Sequence, residues 1–266
     1  MTKSTTRVDY LGMAGIVQSV SKGAWDFIYR ASTVKDPKWN VGDRCVLPDG
    51  REFRYAKSIG ACISGQGCEF TYTGYVAYTN FADSEDAGVN EITIPAATHA
   101  VLAEDELVGG YVLIFVGDTT NNVMFRQIVG NASAVSGAAF KVQLDGDIDQ
   151  AIVSGTSSVE VYQNPYAALR TGTTSNLSKA GVPAIKVSAT ATYFWVQTKG
   201  LIWCAPQANL GNTGGKNGGF WHDVGNISDG VTALAVTIPA AKSCQYAGYT
   251  VSGSISGNGP LFMLTG

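Results

Sequence analysis

The sequence predicts an all-β protein: a β-sandwich, jelly-roll or barrel-like body with an extended N-terminal arm and a β-hairpin. Three observations lead there. Runs rich in β-branched and aromatic residues recur every ~8–20 residues, the rhythm of sandwiches and barrels. Helical periodicity is scarce; the best stretches, Ser32 to Lys38 and Ala103 to Val108, suffice for a turn or two, and Pro37 cuts the first. The chain of 266 residues holds 32 Gly and is only 15% charged, which suits short strands, tight turns and a surface partly covered by partner subunits.

The elements follow in order. Arg44 to Val46 and Glu52 to Ala56 flank Pro48-Asp49-Gly50; proline presets the turn and glycine takes its positive φ, so the unit reads as a hairpin. Glu69 to Thr79 is aromatic and β-branched, with Gly74 as a bulge or bend. Tyr111 to Val116 is apolar throughout and is expected to be buried on both faces. After a polar loop the chain returns through Val123 to Val129. Further strands are read at Phe140 to Leu144, Ser158 to Tyr162, Ala184 to Ala189, Thr192 to Thr198 and Leu201 to Cys204. A Gly/Asn-rich loop, Asn209 to Gly219, precedes strands at Val231 to Ile238, Tyr246 to Ile255 and Leu261 to Leu264. The domain reading is an N-terminal arm and hairpin over 1–60 and a main β body over 61–266, with a possible division into two β subdomains near 205.

Chemistry is sparse. The two histidines, His99 and His222, form no evident triad, and no P-loop, Gly-x-Ser-x-Gly elbow or dinucleotide fingerprint is present; Gly65-Gln66-Gly67 breaks at Phe70. Asp145-Gly146-Asp147-Ile148-Asp149 alternates carboxylates as a calcium loop does, but lacks the glycine and glutamate of that loop and reads as a solvated acidic turn. Glu104-Asp105-Glu106 reads as the start of a helical turn. Five cysteines, an odd number without a Cys-x-x-Cys, read as free core thiols. No catalytic residue, metal ligand or cofactor is assigned.

Two features point to contacts. Residues 1–60 carry ten basic against six acidic residues, a balance of +4, and 61–266 carry eight against fifteen, a balance of −7. This nominates Arg7, Lys22, Arg30, Lys35 and Lys38 as an arm that docks on an acidic surface, while the absence of a dense basic cluster speaks against nucleic acid. Phe220 and Trp221, in a Gly/Asn-rich setting, are expected to form an exposed aromatic contact loop. No stretch has the length of a membrane span and no signal-peptide pattern is read, so synthesis in the cytoplasm is expected.

Several segments resemble structural proteins of tailed bacteriophages, notably aquatic ones. They are Val41-Gly42-Asp43-Arg44 with Val46-Leu47-Pro48-Asp49-Gly50-Arg51-Glu52-Phe53-Arg54-Tyr55-Ala56, then Tyr111 to Val116, Val159 to Tyr166, Gly181-Val182-Pro183 and Tyr193 to Gly200. They run in the same order over roughly residues 40–205. The resemblance implies a non-enzymatic virion structural protein on the exterior of the phage head, a decoration or cement protein. Its partners would be the major capsid protein and its own copies as a homo-oligomer, a trimer, with no nucleic acid or membrane partner. The alternative is a tail or appendage module that binds a host glycan.

Overall fold

The computed structural model describes residues 25–71, 74–118, 122–172, 178–206, 218–221, 224–228, 245–252 and 261–266. Among these residues the protein is all-β, with no helix of seven or more residues, as the sequence predicts. Residues 32–38 and 103–108 form no helix: apart from the Ser32 bridge to Tyr193 they are bends, turns and irregular backbone.

The chain falls into two units, and not at residue 60 or 205. One comprises 1–71 with 166–266; the other is the intervening 72–165. The reason is pairing. The predicted hairpin forms from β1 (Arg44–Val46) and β2 (Glu52–Lys57), but β2 pairs in turn with β12 (Tyr193–Trp203), setting Tyr55 opposite Trp195. The hairpin is therefore part of the sheet built by the C-terminal half of the chain. Residues 25–40 join it too: Trp25, Ile28 and Trp39 are buried against Trp195, with the Trp39 and Trp195 rings edge-to-face at 5.0 Å. An arm over 1–60 is thereby corrected, since this aromatic cluster fixes its second half; residues 1–24 lie outside the described residues.

In the first unit the order is β10 (Leu169–Thr171), β3 (Cys68–Phe70), β11 (Lys179–Pro183), β12, β16 (Leu261–Thr265), β15 (Tyr246–Ser252), β13 (Gly218–Trp221) and β14 (Ile227–Ser228). Gln197 pairs with both Phe53 and Val182, and Lys199 with both Glu52 and Thr265. A strand has only two edges, so β11 and β16 follow one another along the same edge of β12, opposite β2. The eleven-residue strand thus serves two branches of the sheet. Gln197 sits at the branch, nearly buried, its amide nitrogen donating to the carbonyls of Lys199 and Leu201 at 3.1 and 3.0 Å. The first half of β12 is buried on both faces: Trp195 enters the cluster with Trp39 and Phe53, while Phe194 and Val196 enter one with Leu169 and Cys62. Residues 184–189, expected as a strand, form bends around one isolated bridge, Cys62 to Val187.

The second unit is a six-stranded antiparallel sheet in the order β4 (Val76–Asn80), β9 (Ser158–Tyr162), β6 (Tyr111–Phe115), β7 (Val123–Asn131), β8 (Phe140–Leu144) and β5 (Glu91–Ile94). Alternation along the strands sends Ile92, Val112, Ile114, Met124, Val142 and Val161 to one core, which loop residues Phe81, Leu102, Leu107, Ile148 and Ile152 close. Each sheet curls into a half-barrel. The run Glu69 to Thr79 is split: its first part joins the ten-stranded sheet as β3, and its last part is β4 of the six-stranded one.

Candidate contact surface

The outward residues of the six-stranded sheet make a two-part face. Because successive side chains point to opposite sides, Tyr111, Leu113 and Phe115 project away from the core that Val112 and Ile114 enter. This corrects the expectation of two-sided burial: β6 is apolar on both faces, yet its outer one stays partly open. Register assembles the neighbours. Tyr111 lies opposite Tyr162, Leu113 opposite Phe125, and Phe115 opposite Val123. The Tyr111 and Phe125 rings stack at 4.9 Å and 13°, and Tyr78 leans on Phe115 at 5.4 Å. Phe125 remains 56% exposed and Tyr78 48%. The Tyr162 hydroxyl donates to the Glu160 carboxylate, and that bond, with burial second, pushes the phenol up to about 12.

The other part is polar. Lys141 on β8 reaches Glu91 on β5 at 2.6 Å, and this pairing holds the Glu91 carboxyl below its ordinary range. Beside the pair is a cleft of about 230 Å³ lined by Glu91, Glu104, Asp105, Asn131, Lys141 and Gln143. Its floor is a fixed joint. The Asn131 side chain accepts from Leu107 N at 2.8 Å and donates to Ala103 O at 2.9 Å, while the Asp105 carboxylate accepts from Asn131 N at 3.3 Å. The Glu106 carboxylate accepts from Ala103 N, closing the acidic turn. The cleft offers hydrogen bonds and one ion pair, but no nucleophile beside a base.

Elsewhere the ionisable groups hold the fold. Glu69, fully buried on β3, lies between its cross-strand neighbours Arg170 and Lys179 and pairs with them at 2.9 and 3.0 Å. Burial pushes the Cys45 thiol up to about 11 and raises Cys68 and Cys204 as well, which keeps them un-ionised and poor nucleophiles. Both His99 ring nitrogens lie against carbonyl oxygens, Ala100 O at 2.6 Å and Ala138 O at 2.7 Å. In the Asp145–Asp149 loop, the Asp145 carboxylate accepts from Gln127 N, and Arg126 binds the carbonyl of Asp147 and the carboxylate of Asp149. Among the described residues no group of three or more His, Cys, Asp or Glu is placed to hold a metal ion, and no helix is long and apolar enough to cross a membrane.

The residues nominated from sequence are scattered. Arg7, Lys22 and His222 lie outside the described residues. Arg30 and Lys38 are exposed, and the Lys35 ammonium donates to the Asn40 side chain at 2.9 Å. Phe220 and Trp221 correct the exposed-loop expectation. They belong to β13, where Trp221 is buried with Ile227 and Phe262, and half-buried Phe220 meets Tyr246 edge-on at 5.4 Å. The signal was in the sequence. Gly65-Gln66-Gly67 clears room for two indoles: a Cβ at Gly65 would overlap the Trp203 ring, and one at Gly67 would stand 2.8 Å from Trp221. The outer aromatic face was missed, although the period-2 pattern of β6 and β7 contained it.

Among its described residues the protein is all-β and presents partly open sheet faces. No family model, curated protein or solved structure matches the chain.

Proposed function

We propose that this chain is a structural protein of a tailed-phage virion, seated on the head exterior, where it decorates and stabilises the capsid through contacts with the major capsid protein and with its own copies. The observation that carries the reading is the contrast between paired ionisable groups and open apolar strands. Glu69, Lys179, Glu91 and Lys141 are engaged with one another across strands, whereas Phe125, Tyr78 and Val123 remain open on a sheet face. Such a surface suits adhesion rather than turnover. The phage-like segments support it as well: two of them, around Phe53–Ala56 and Tyr193–Val196, are direct pairing partners, and Tyr111–Phe115 pairs with Val159–Tyr162. They are framework strands, which a shared architecture would preserve.

Copies bound at many sites convert modest contacts into lasting reinforcement, because later contacts form at high effective concentration. The glycan-binding alternative is weakened at one of its two aromatic contacts, since Trp221 is buried. Gold-labelled antibody on intact virions, with copy number from quantitative mass spectrometry, tests the proposal. Dense labelling over the whole head is the expected result; sparse labelling confined to the tail overturns it.

A further inference from the structure

We infer that His99 is a pH-sensitive clasp of the second unit: with a proton on each ring nitrogen it pins the loop 97–102 to the loop 134–138, and loss of one of those protons loosens the joint. The inference does not rest on the proposed place in a virion.

The observation that carries it is a count of donors. His99 is buried, with Nδ1 2.6 Å from Ala100 O and Nε2 2.7 Å from Ala138 O. A carbonyl oxygen only accepts, and a neutral imidazole has one N–H and one bare nitrogen. In the neutral ring one of the two contacts would set lone pair against lone pair. With both nitrogens protonated the ring donates both bonds, and their shortness is that of charge-assisted hydrogen bonds. The surroundings suit a cation as well. The ring stacks on Tyr75 with centroids 5.6 Å apart and stands edge-to-face with Phe140 at 5.2 Å, and aromatic faces attract positive charge.

The two bonds lie where little else holds the chain. Neither loop belongs to a strand. Leu102 and Ala134 exchange both backbone hydrogen bonds at 2.9 Å, the Ser136 hydroxyl donates to His99 O at 2.7 Å, and the bond from His99 to Ala138 O completes the joint. The first loop then runs straight into Ala103, whose NH donates to the Glu106 carboxylate and whose carbonyl accepts from the Asn131 side chain on the floor of the cleft. The direction of the effect follows. The ring is engaged twice only while it carries both protons, so acid favours the closed joint. Closure weakens as pH rises through the titration of an imidazole, ordinarily between about pH 5 and 8. Of the ionisable groups around it, the Tyr75 phenol is pushed up to about 12 by burial and then by Glu106, so it keeps its proton and donates to Ala100 O at 3.3 Å. Glu104, Asp105 and Glu106 are exposed in the turn that follows, and Lys141, next to Phe140, points to the opposite face and Glu91.

Nitrogen-15 NMR of the full chain, titrated from about pH 5 to about pH 9, reads the protons on the ring; His222→Asn leaves His99 as the one histidine signal. Amide hydrogen exchange at Leu102 and Ala134 reads the joint, each rate divided by that of Val112 in the core so that base catalysis cancels. Both ring nitrogens should be protonated at the acid end. One proton should leave as pH rises, and the exchange ratio should climb with it by at least about ten-fold, the scale of one hydrogen bond to a charged group. In His99→Gln, whose amide donates from one end only, the ratio should stay level; a thermal melt confirms that it folds. A ring that holds one proton, or two, across the whole range overturns the inference. So does a ratio that stays level while the ring loses a proton, or one that climbs as steeply in His99→Gln. Should His99→Gln not fold, the ring signals and exchange ratio of His222→Asn still decide.

Discussion

Replacing Lys179 by Met removes one of the two cations that flank Glu69. The Glu69 carboxylate is wholly buried and the Lys179 side chain is 3% exposed, whereas Arg170 on the other side is 37% exposed. Methionine fills much of the volume, so packing changes little and the loss is electrostatic. One carboxylate oxygen then remains in the interior without its ion-pair partner, and breaking a buried pair from one side costs about 3–5 kcal/mol. The remaining Arg170 contact puts the expected loss at the lower end, about 3 kcal/mol, or ~6–12 °C in melting temperature at 2–4 °C per kcal/mol for a domain of this size. Urea unfolding followed by tryptophan fluorescence measures it, because Trp195 and Trp221 belong to the same sheet. Removing both partners, Glu69→Leu with Lys179→Met, deletes the buried charge and lets Arg170 turn to solvent; this variant should recover to within about 1 kcal/mol of wild type. A single variant as stable as the wild type, or a double variant worse than the single one, would refute the reasoning. Lys141→Met is the contrast: its ion pair with Glu91 is exposed on both sides, so the unfolding midpoint should not move.

Three further outcomes follow from the same structure. Trp221→Ala should destabilise the fold by about 3–5 kcal/mol, as for a buried aromatic, read by the same urea titration; a neutral effect would restore the exposed-loop reading. Gly67→Ala should lower the melting temperature and disturb the near-ultraviolet circular dichroism, because its methyl would stand 2.8 Å from the Trp221 ring; an unchanged spectrum would count against that packing. Stability should be level between pH 7 and about 9 and fall above it: thiols ionise there in the unfolded chain, while folded Cys45 keeps its proton up to about 11 and Cys68 and Cys204 are raised in the same direction. Melts between pH 7 and 11 check this, with Cys45→Ala expected to flatten the decline.

What the sequence made legible was local. Pro48-Asp49-Gly50 contains its own turn chemistry, and the hairpin forms as read. The alternation in Phe140–Leu144 and Ser158–Tyr162 likewise needs no distant partner to be recognised. Pairing across long separations is not written locally. Gly74 looked like a bend within one strand because nothing nearby reveals that β3 pairs with β10 and β11 while β4 pairs with β9. Glycine-rich composition suggested an exposed loop at Phe220–Trp221, yet Gly219 is there because a Cβ would meet Phe262 and Ile227; glycine made room for packing rather than for solvent. Tyr111–Phe115 misled for a related reason. A strand that is apolar on both sides has the same pattern whether its second face meets the core or an outside partner, and only the fold tells the two apart.

The residues between Thr71 and Tyr166 leave and re-enter the first unit at one place. β3 and β10 are paired neighbours, and the backbone NH and hydroxyl of Thr71 both donate to the Ala168 carbonyl. An excursion whose two ends are already clasped together behaves like a cassette. It can lengthen, shorten or be exchanged without shifting the register of its host sheet, much as an insertion is tolerated at a hairpin tip. Changes of length within it therefore leave the pairing of β2 with β12 in the host sheet untouched.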